Sequence, residues 1–177
     1  MPLVVVGLHQ RSVPLDLLER VAVGADKLPK ALGGLRSLQD VSEVVLLSTC
    51  MRTEVYAVVE EYHPSQAEVR DFLAAWAGLA PEALTDHLYG FWGRAAARHL
   101  FRVASGLDSA VLGEGEVLAQ VRGAWEGART EGVAGPLLSG LFRHAIEVGK
   151  RARTETGIAR GTTSLSTAAV AMAQARL

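Results

Sequence analysis

Two short apolar runs joined by a polar turn constrain this chain more than any other feature. Val44–Leu47 is brief, β-branched and unbroken, the pattern of a buried strand, and Thr53–Val59 is a second β-like run. Between them stands Ser48-Thr-Cys-Met-Arg52, so the only cysteine, Cys50, lies where two strands meet a loop. In extended backbone, side chains two apart share a face, which aims Cys50 and Arg52 the same way. A guanidinium beside a thiol favours the thiolate, and the thiolate is the nucleophile. Arginine also grips a carboxylate through paired N–H groups. One turn can therefore attack an acyl carbon and hold an acidic substrate. The same residues also read as a small buried cysteine beside a solvated arginine.

The rest of the chain supplies elements around that hairpin. Leu3–Gly7 reads as a strand, 15–23 as a helix by its apolar spacing, and 25–38 as a second helix weakened by Pro29 and Gly33-Gly34. Ser65–Ala77 is helical with Val69, Phe72, Leu73 and Trp76 on one stripe, and 87–92 alternates as a last strand. Strand, helices, two strands, helix, strand is the order of a ferredoxin-like βαββαβ unit, an α+β sheet with helices on one face. Beyond residue 93 the periodicity is helical only: 94–105, 114–130, and a helix begun by Pro136 with Leu138, Leu141, Phe142, Ala145 and Val148 on one side. Thr162 or Thr163 caps a final helix. The expected division is 1–93 for the sheet unit carrying the nucleophile and 94–160 for helices that complete a pocket. Residues 161–177 are expected to begin a linker.

Composition narrows the class. Half the 177 residues are apolar and the formal net charge is −1, so nothing drives the whole surface toward nucleic acid. Contact with RNA must rest on local charge, and Arg143, Lys150, Arg151, Arg153 and Arg160 make the C-terminal half locally basic. A single cysteine excludes an internal disulfide and fits a reducing, cytoplasmic setting. No apolar run reaches membrane-spanning length, and the histidines lack metal-ligand spacing. Gly113 and Gly115 imitate a dinucleotide fingerprint. The third glycine position is Leu118, however, and no βαβ unit surrounds it, so no cofactor site is expected there. The following helix start still offers free N–H groups to a polar ligand.

Ser48-Thr-Cys-Met-Arg-Thr-Glu-Val-Tyr56 resembles the S-T-C-N-R-T-E-(I/V)-Y signature of the glutamyl-tRNA reductases. The opening Gly7–Ala22, the block His99–Ser109 with Val111–Glu114, and the run Gly149–Thr156 are similar to further blocks of that family, in order and spacing. The resemblance covers essentially the whole chain. It implies that Cys50 attacks the ester joining glutamate to its tRNA and forms a thioester. Hydride from NADPH then yields glutamate-1-semialdehyde, the first committed step of five-carbon tetrapyrrole synthesis. It implies that His99 matters for activity, as an acid/base or as an orienting group near the thiol, with His9 a weaker candidate. Thr49, Arg52, Ser109, Glu114 and Gln120 are implied to contact the glutamyl group.

The chain departs from the family at Met51, where Asn is usual, and at Gly115-Glu116, where Pro-Gln is usual. The first loses an amide at the substrate side, and the second adds a negative charge near an anionic substrate. The family is about twice this length. NADPH is accordingly expected on a domain absent from this chain, with a homodimer formed by the full-length protein. A partner that takes the product, glutamate-1-semialdehyde aminomutase, is implied as well. The isolated piece is expected to form the thioester and hydrolyse it slowly. Two rival readings stay open on the residues alone. One is a ferredoxin-like RNA- or protein-binding module with a structural Cys50. The other is a cofactor-free thioesterase, for which His99 is the only available base.

Overall fold

A computed structural model describes residues 2–159, together with residue 174. The expected helix cap at Thr162 or Thr163, Arg160 and the 161–177 segment lie outside the described residues, apart from that single position.

The elements run β1 (Leu3–His9), α1 (Leu15–Val21), α2 (Leu28–Arg36), β2 (Val41–Ser48), β3 (Arg52–Val59), α3 (Tyr62–Ala77), α4 (Glu82–Thr85) and β4 (Tyr89–Trp92). Three helices follow: α5 (Gly93–Ala104), α6 (Glu116–Thr130) and α7 (Pro136–Glu155). The sheet order is β2-β3-β1-β4, with every neighbouring pair antiparallel. This is the ferredoxin-like α+β arrangement. β1 and β3 are its two central strands, and the turn carrying Cys50 closes the β2–β3 hairpin.

Helices cover both faces of the sheet, where the sequence pattern suggested one. β1 and β3 are buried at every position, so neither face of either strand meets water. Val4, Val6, Leu8, Val55 and Ala57 form one buried face, over which α1 and α3 pack. The other face carries Val5, Gly7, His9, Arg52, Glu54 and Tyr56, and α5, α6 and α7 close over it. Phe142 of α7 meets Tyr56 edge-to-face, with ring centroids 5.3 Å apart. A strand buried on both sides reads as a continuous apolar run, as 3–6 and 44–47 do. Burying each Leu or Val in these layers stabilises by about 1.5–3 kcal/mol before entropy is counted. Val148 lies off the buried stripe of α7 and is exposed, while Ile146 takes its place in the core.

α7 is tied to the sheet at its first turn. Both carboxyl oxygens of Glu43, on edge strand β2, accept backbone N–H groups at its start, Leu137 at 3.2 Å and Leu138 at 2.7 Å. Helix N-termini carry unpaired donors that an acidic side chain satisfies well. Glu43→Ala is expected to lower stability by about 1–2 kcal/mol in a urea titration. An unchanged midpoint would mean that water replaces the carboxyl oxygens at no cost.

Candidate active site

The hairpin bend is built by Thr49. Its N–H donates to the Arg52 carbonyl at 2.8 Å, and its Oγ1 accepts the N–H groups of Met51 and Arg52, each at 3.1 Å. The Met51 carbonyl accepts the Gln10 N–H at 3.0 Å, which ties the bend to the end of β1. Cys50 projects from this bend and is exposed, so it is no core residue. The backbone is bent at Cys50 rather than extended. The two-residue rule therefore does not set the direction of Cys50 relative to Arg52, which already belongs to β3.

A narrow slot of about 50 Å³ nonetheless joins the two. Thr49, Cys50, Met51 and Arg52 line one side of it. Ser109, Glu114, Glu116 and Gln120 line the other, with Val117. Gly115 is not in the lining and caps the N-terminus of α6. Ser109 Oγ is buried and has no hydrogen-bond partner among the described residues. An orphaned hydroxyl in a slot is a polar group waiting for a ligand or water.

Behind Arg52 lies a group that residue-by-residue reading missed. Glu54 is fully buried and accepts four side-chain hydrogen bonds. Arg52 donates to Oε1 at 2.9 Å, Tyr89 O–H to Oε1 at 2.5 Å and Tyr56 O–H to Oε2 at 2.5 Å. His99 Nε2 lies 2.9 Å from Oε1. Burial alone would raise the Glu54 pKa, but the bond from His99 and the charge of Arg52 outweigh it and hold the value at about 2. An ionised Glu54 can only accept, so His99 presents its Nε2–H to it. Burial and the Glu54 charge push the Tyr56 and Tyr89 hydroxyls upward, keeping them protonated donors. Gly7 makes room for this carboxylate. A Cβ there would stand 2.8 Å from Glu54 Cγ and 2.7 Å from the Thr53 carbonyl oxygen.

His99 does not line the slot. It faces a second, larger cavity of about 570 Å³, shared with His9, Arg11, Tyr89, Phe91 and Asp108 among others. Arg52 lines both spaces. The second guanidinium nitrogen of Arg52 donates to the Asp108 carbonyl at 2.7 Å, so two of its five N–H donors are engaged. His9 is buried, and burial together with Arg52 and Arg11 lowers its pKa.

The loop from Ser105 to Gly115 carries Asp108, Ser109 and Glu114 to these spaces, and three arginines hold its carbonyls. Arg52 takes Asp108, Arg11 takes Ser109 at 3.5 Å, and Arg153 of α7 takes Glu114 at 2.6 Å. Arg153 also donates to the carbonyls of Ala104 and Gly149, each at 2.8 Å, so it braces the interior instead of adding to a solvated basic face. Gly113 has φ +77°, and a Cβ there would lie 2.1 Å from the Ile158 carbonyl oxygen. That glycine is required by a close backbone contact. With no strand before it and Ile158 pressed against it, the Gly113-Glu-Gly115 segment does not fit a dinucleotide pyrophosphate.

Comparison with known proteins agrees with this fold. Residues 6–156 match the family model described as glutamyl-tRNAGlu reductase, N-terminal domain. Glutamyl-tRNA reductase of Xanthomonas campestris pv. phaseoli is 47% identical over 174 residues, which span 98% of this chain and 39% of that protein. The Frankia alni glutamyl-tRNA reductase is 44% identical over 177 residues, 38% of its length. The solved glutamyl-tRNA reductase of Methanopyrus kandleri superposes with a TM-score of 0.74 at 35% identity, covering 99% of this chain and 40% of that one. The chain thus spans less than half the length of the relatives it matches. By family model, sequence and fold it belongs to the glutamyl-tRNA reductase family, as the N-terminal domain.

Proposed function

We propose that Cys50 is the acyl acceptor of a glutamyl-tRNA reductase. Its thiolate attacks the ester carbonyl between glutamate and tRNA. The S–C bond forms, the C–O bond to ribose breaks, and the ribose oxygen leaves with a proton. Glutamate is held in the slot, its α-amino group against Glu114 and its side-chain carboxylate against Arg52, with Thr49, Ser109 and Gln120 as hydrogen-bond partners. Met51 and Glu116 border the same space, with Gly115 beside it. His99 faces the larger cavity, so its part falls on the alcohol side of the ester, where a proton is needed.

One observation carries this reading. An exposed cysteine shares a single slot with residues from a loop and helix far along the chain, and one of them, Ser109, offers a buried hydroxyl without a partner among the described residues. A purely structural Cys50 gives no reason for that convergence.

For the whole protein the reading extends to reduction of the thioester with NADPH as hydride source, giving glutamate-1-semialdehyde for tetrapyrrole synthesis in the cytoplasm. A homodimer and a product-accepting aminomutase belong to the same proposal, as does the division of the chain at residue 93. No step of the reduction is assigned to a residue described above, and the Gly113–Gly115 segment does not fit a dinucleotide pyrophosphate.

The test uses this chain with glutamyl-tRNA. Intact-mass spectrometry is expected to show one glutamyl adduct, located on Cys50 and removed by hydroxylamine. No semialdehyde should form when NADPH is added. An adduct elsewhere, or none while Cys50 alkylates rapidly, would defeat the assignment.

A further inference from the structure

We propose that Arg153 is a positioning residue for amino-acid recognition, acting through Glu114 on the slot's grip of the α-amino group. This rests on the placement of that group at Glu114 in the proposed function. It adds a residue of α7 that does not itself line the slot.

Arg153 staples the base of the loop that forms the far wall. α5 ends at Ala104 and α6 starts at Glu116, and the loop between them supplies Ser109 and Glu114 to the slot. One terminal nitrogen of Arg153 donates to the Ala104 carbonyl at the loop's entry, and the other to the Glu114 carbonyl at its exit. The first also reaches the Gly149 carbonyl, one turn back on α7, which anchors the side chain to its own helix. Gly149 lets the helices approach closely enough for this. A Cβ there would stand 2.5 Å from the Ala104 carbonyl oxygen. A planar, forked cation spans such separated acceptors, whereas a lysine ammonium is a single point.

The neck of the loop is closed tightly around this contact. The Gly113 N–H donates to the Gly106 carbonyl at 3.0 Å. Gly106 has φ +76°, and a Cβ there would stand 2.9 Å from Gly113 Cα and 3.2 Å from Nη2 of Arg153. Glu114 is then pinned on both sides: its N–H donates to the Val111 carbonyl at 3.2 Å, and its own carbonyl is held by Arg153. That fixes the direction in which its side chain leaves the backbone. Burial lowers the Arg153 pKa, and the Glu114 carboxylate is close enough for its charge to oppose that. Without Arg153 the Glu114 carbonyl is freed and its side chain can turn. Cys50, Thr49 and Arg52 stand on the β2–β3 hairpin, to which Arg153 makes no hydrogen bond among the described residues. The loss therefore falls on discrimination at Glu114 and spares the thiol.

The experiment reads the slot without requiring acyl transfer. Cys50 is alkylated with iodoacetamide in the presence of one of two ligands. Isoglutamine has the α-amino group and side-chain carboxylate of glutamate, with a neutral amide at the acyl carbon. Glutaramic acid is the same molecule without the α-amino group. In the unsubstituted chain isoglutamine is expected to protect at the lower concentration. In Arg153→Lys and Arg153→Ala that preference should fall about tenfold, with protection by glutaramic acid and the unprotected alkylation rate unchanged. Guanidinium ion at millimolar concentration should restore the preference to Arg153→Ala. In a Glu114→Ala chain, Arg153→Lys should remove no further preference, because the two residues act as one. Equal weakening with both ligands would mean that Arg153 only supports the fold, and overturns the proposal. So does an unchanged preference in both variants, or isoglutamine protecting no better than glutaramic acid in the unsubstituted chain. If Arg153→Ala does not fold, Arg153→Lys makes the comparison; if neither folds, the residue is structural and the proposal falls. The glutamyl-tRNA adduct decides the thioester reading separately. Preference lost as expected, with no adduct on Cys50, would leave the role of Arg153 standing and end the acyl-transfer reading.

Discussion

A Glu54→Ala chain is expected to lose about 3–5 kcal/mol of stability, the range for removing one partner of a buried ion pair. The change leaves the Arg52 guanidinium buried with no counter-charge, and strips two tyrosine hydroxyls and His99 of their acceptor. Native domains hold only about 5–15 kcal/mol in total, so this variant sits near the edge of folding. Glu54→Gln keeps the volume and one acceptor oxygen, and should fold with a smaller loss. It turns an NH₂ group toward donors, however, and lets Arg52 and His99 drift. Its acylation rate should therefore fall while its fold survives.

The same carboxylate sets an acid signature. Its folded pKa, about 2, lies below the ordinary 4.5, so the unfolded chain takes up the proton first as pH falls. The contribution is complete above about pH 4.5 and is lost progressively toward pH 2. Its expected size is about 3 kcal/mol. Urea midpoints measured from pH 6 to pH 2 should show Glu54→Gln and the unsubstituted chain converging in acid. Parallel curves would mean that Glu54 does not titrate as its surroundings dictate.

Cys50→Ser is expected to abolish the glutamyl adduct, with acylation falling by at least about 10³-fold. A serine hydroxyl remains protonated and needs an adjacent base to attack an ester. Because Cys50 is exposed at a bend, the same substitution should move stability by no more than about 0.5 kcal/mol. The pairing of these two results is the informative part. Loss of the adduct with an unchanged melting curve isolates the sulfur, whereas loss of both would return Cys50 to a structural role.

Much of the fold was readable from periodicity. The 44–47 and 53–59 runs, the helical stripe of Val69 and Leu73, and the strand before residue 93 predict the element order that the structure has. The faces were not readable. An apolar strand such as Val4-Val-Val6 looks the same whether one side or both are covered, and only the docking of α5–α7 decides it. The slot was legible only through the family resemblance. Glu114 and Gln120 are ordinary helix-start residues until α6 packs against β2 and brings them to Cys50.

Glu54 carried a signal of its own. Arg52, Glu54 and Tyr56 alternate along β3, and a carboxylate amid apolar strand residues must find partners or stay out of the core. Its remaining partners could not be named from sequence. Tyr89 arrives through the pairing of β4 with β1, and His99 through α5. In the sequence Arg153 belongs to a basic patch, because nothing local distinguishes a solvated arginine from one that binds carbonyls, as this one does.

The grip of Arg11, Arg52 and Arg153 on successive loop carbonyls also fixes an order of assembly. During synthesis the hairpin with its sulfur leaves the ribosome long before Arg153 does. Until α7 docks, the Glu114 carbonyl has no clamp, and only Arg11 and Arg52 hold the far wall of the slot, at Ser109 and Asp108. On the proposed thioester reading, reactivity and selectivity are thus acquired at different moments: the thiol is local and early, and the full wall that would select its substrate is global and late.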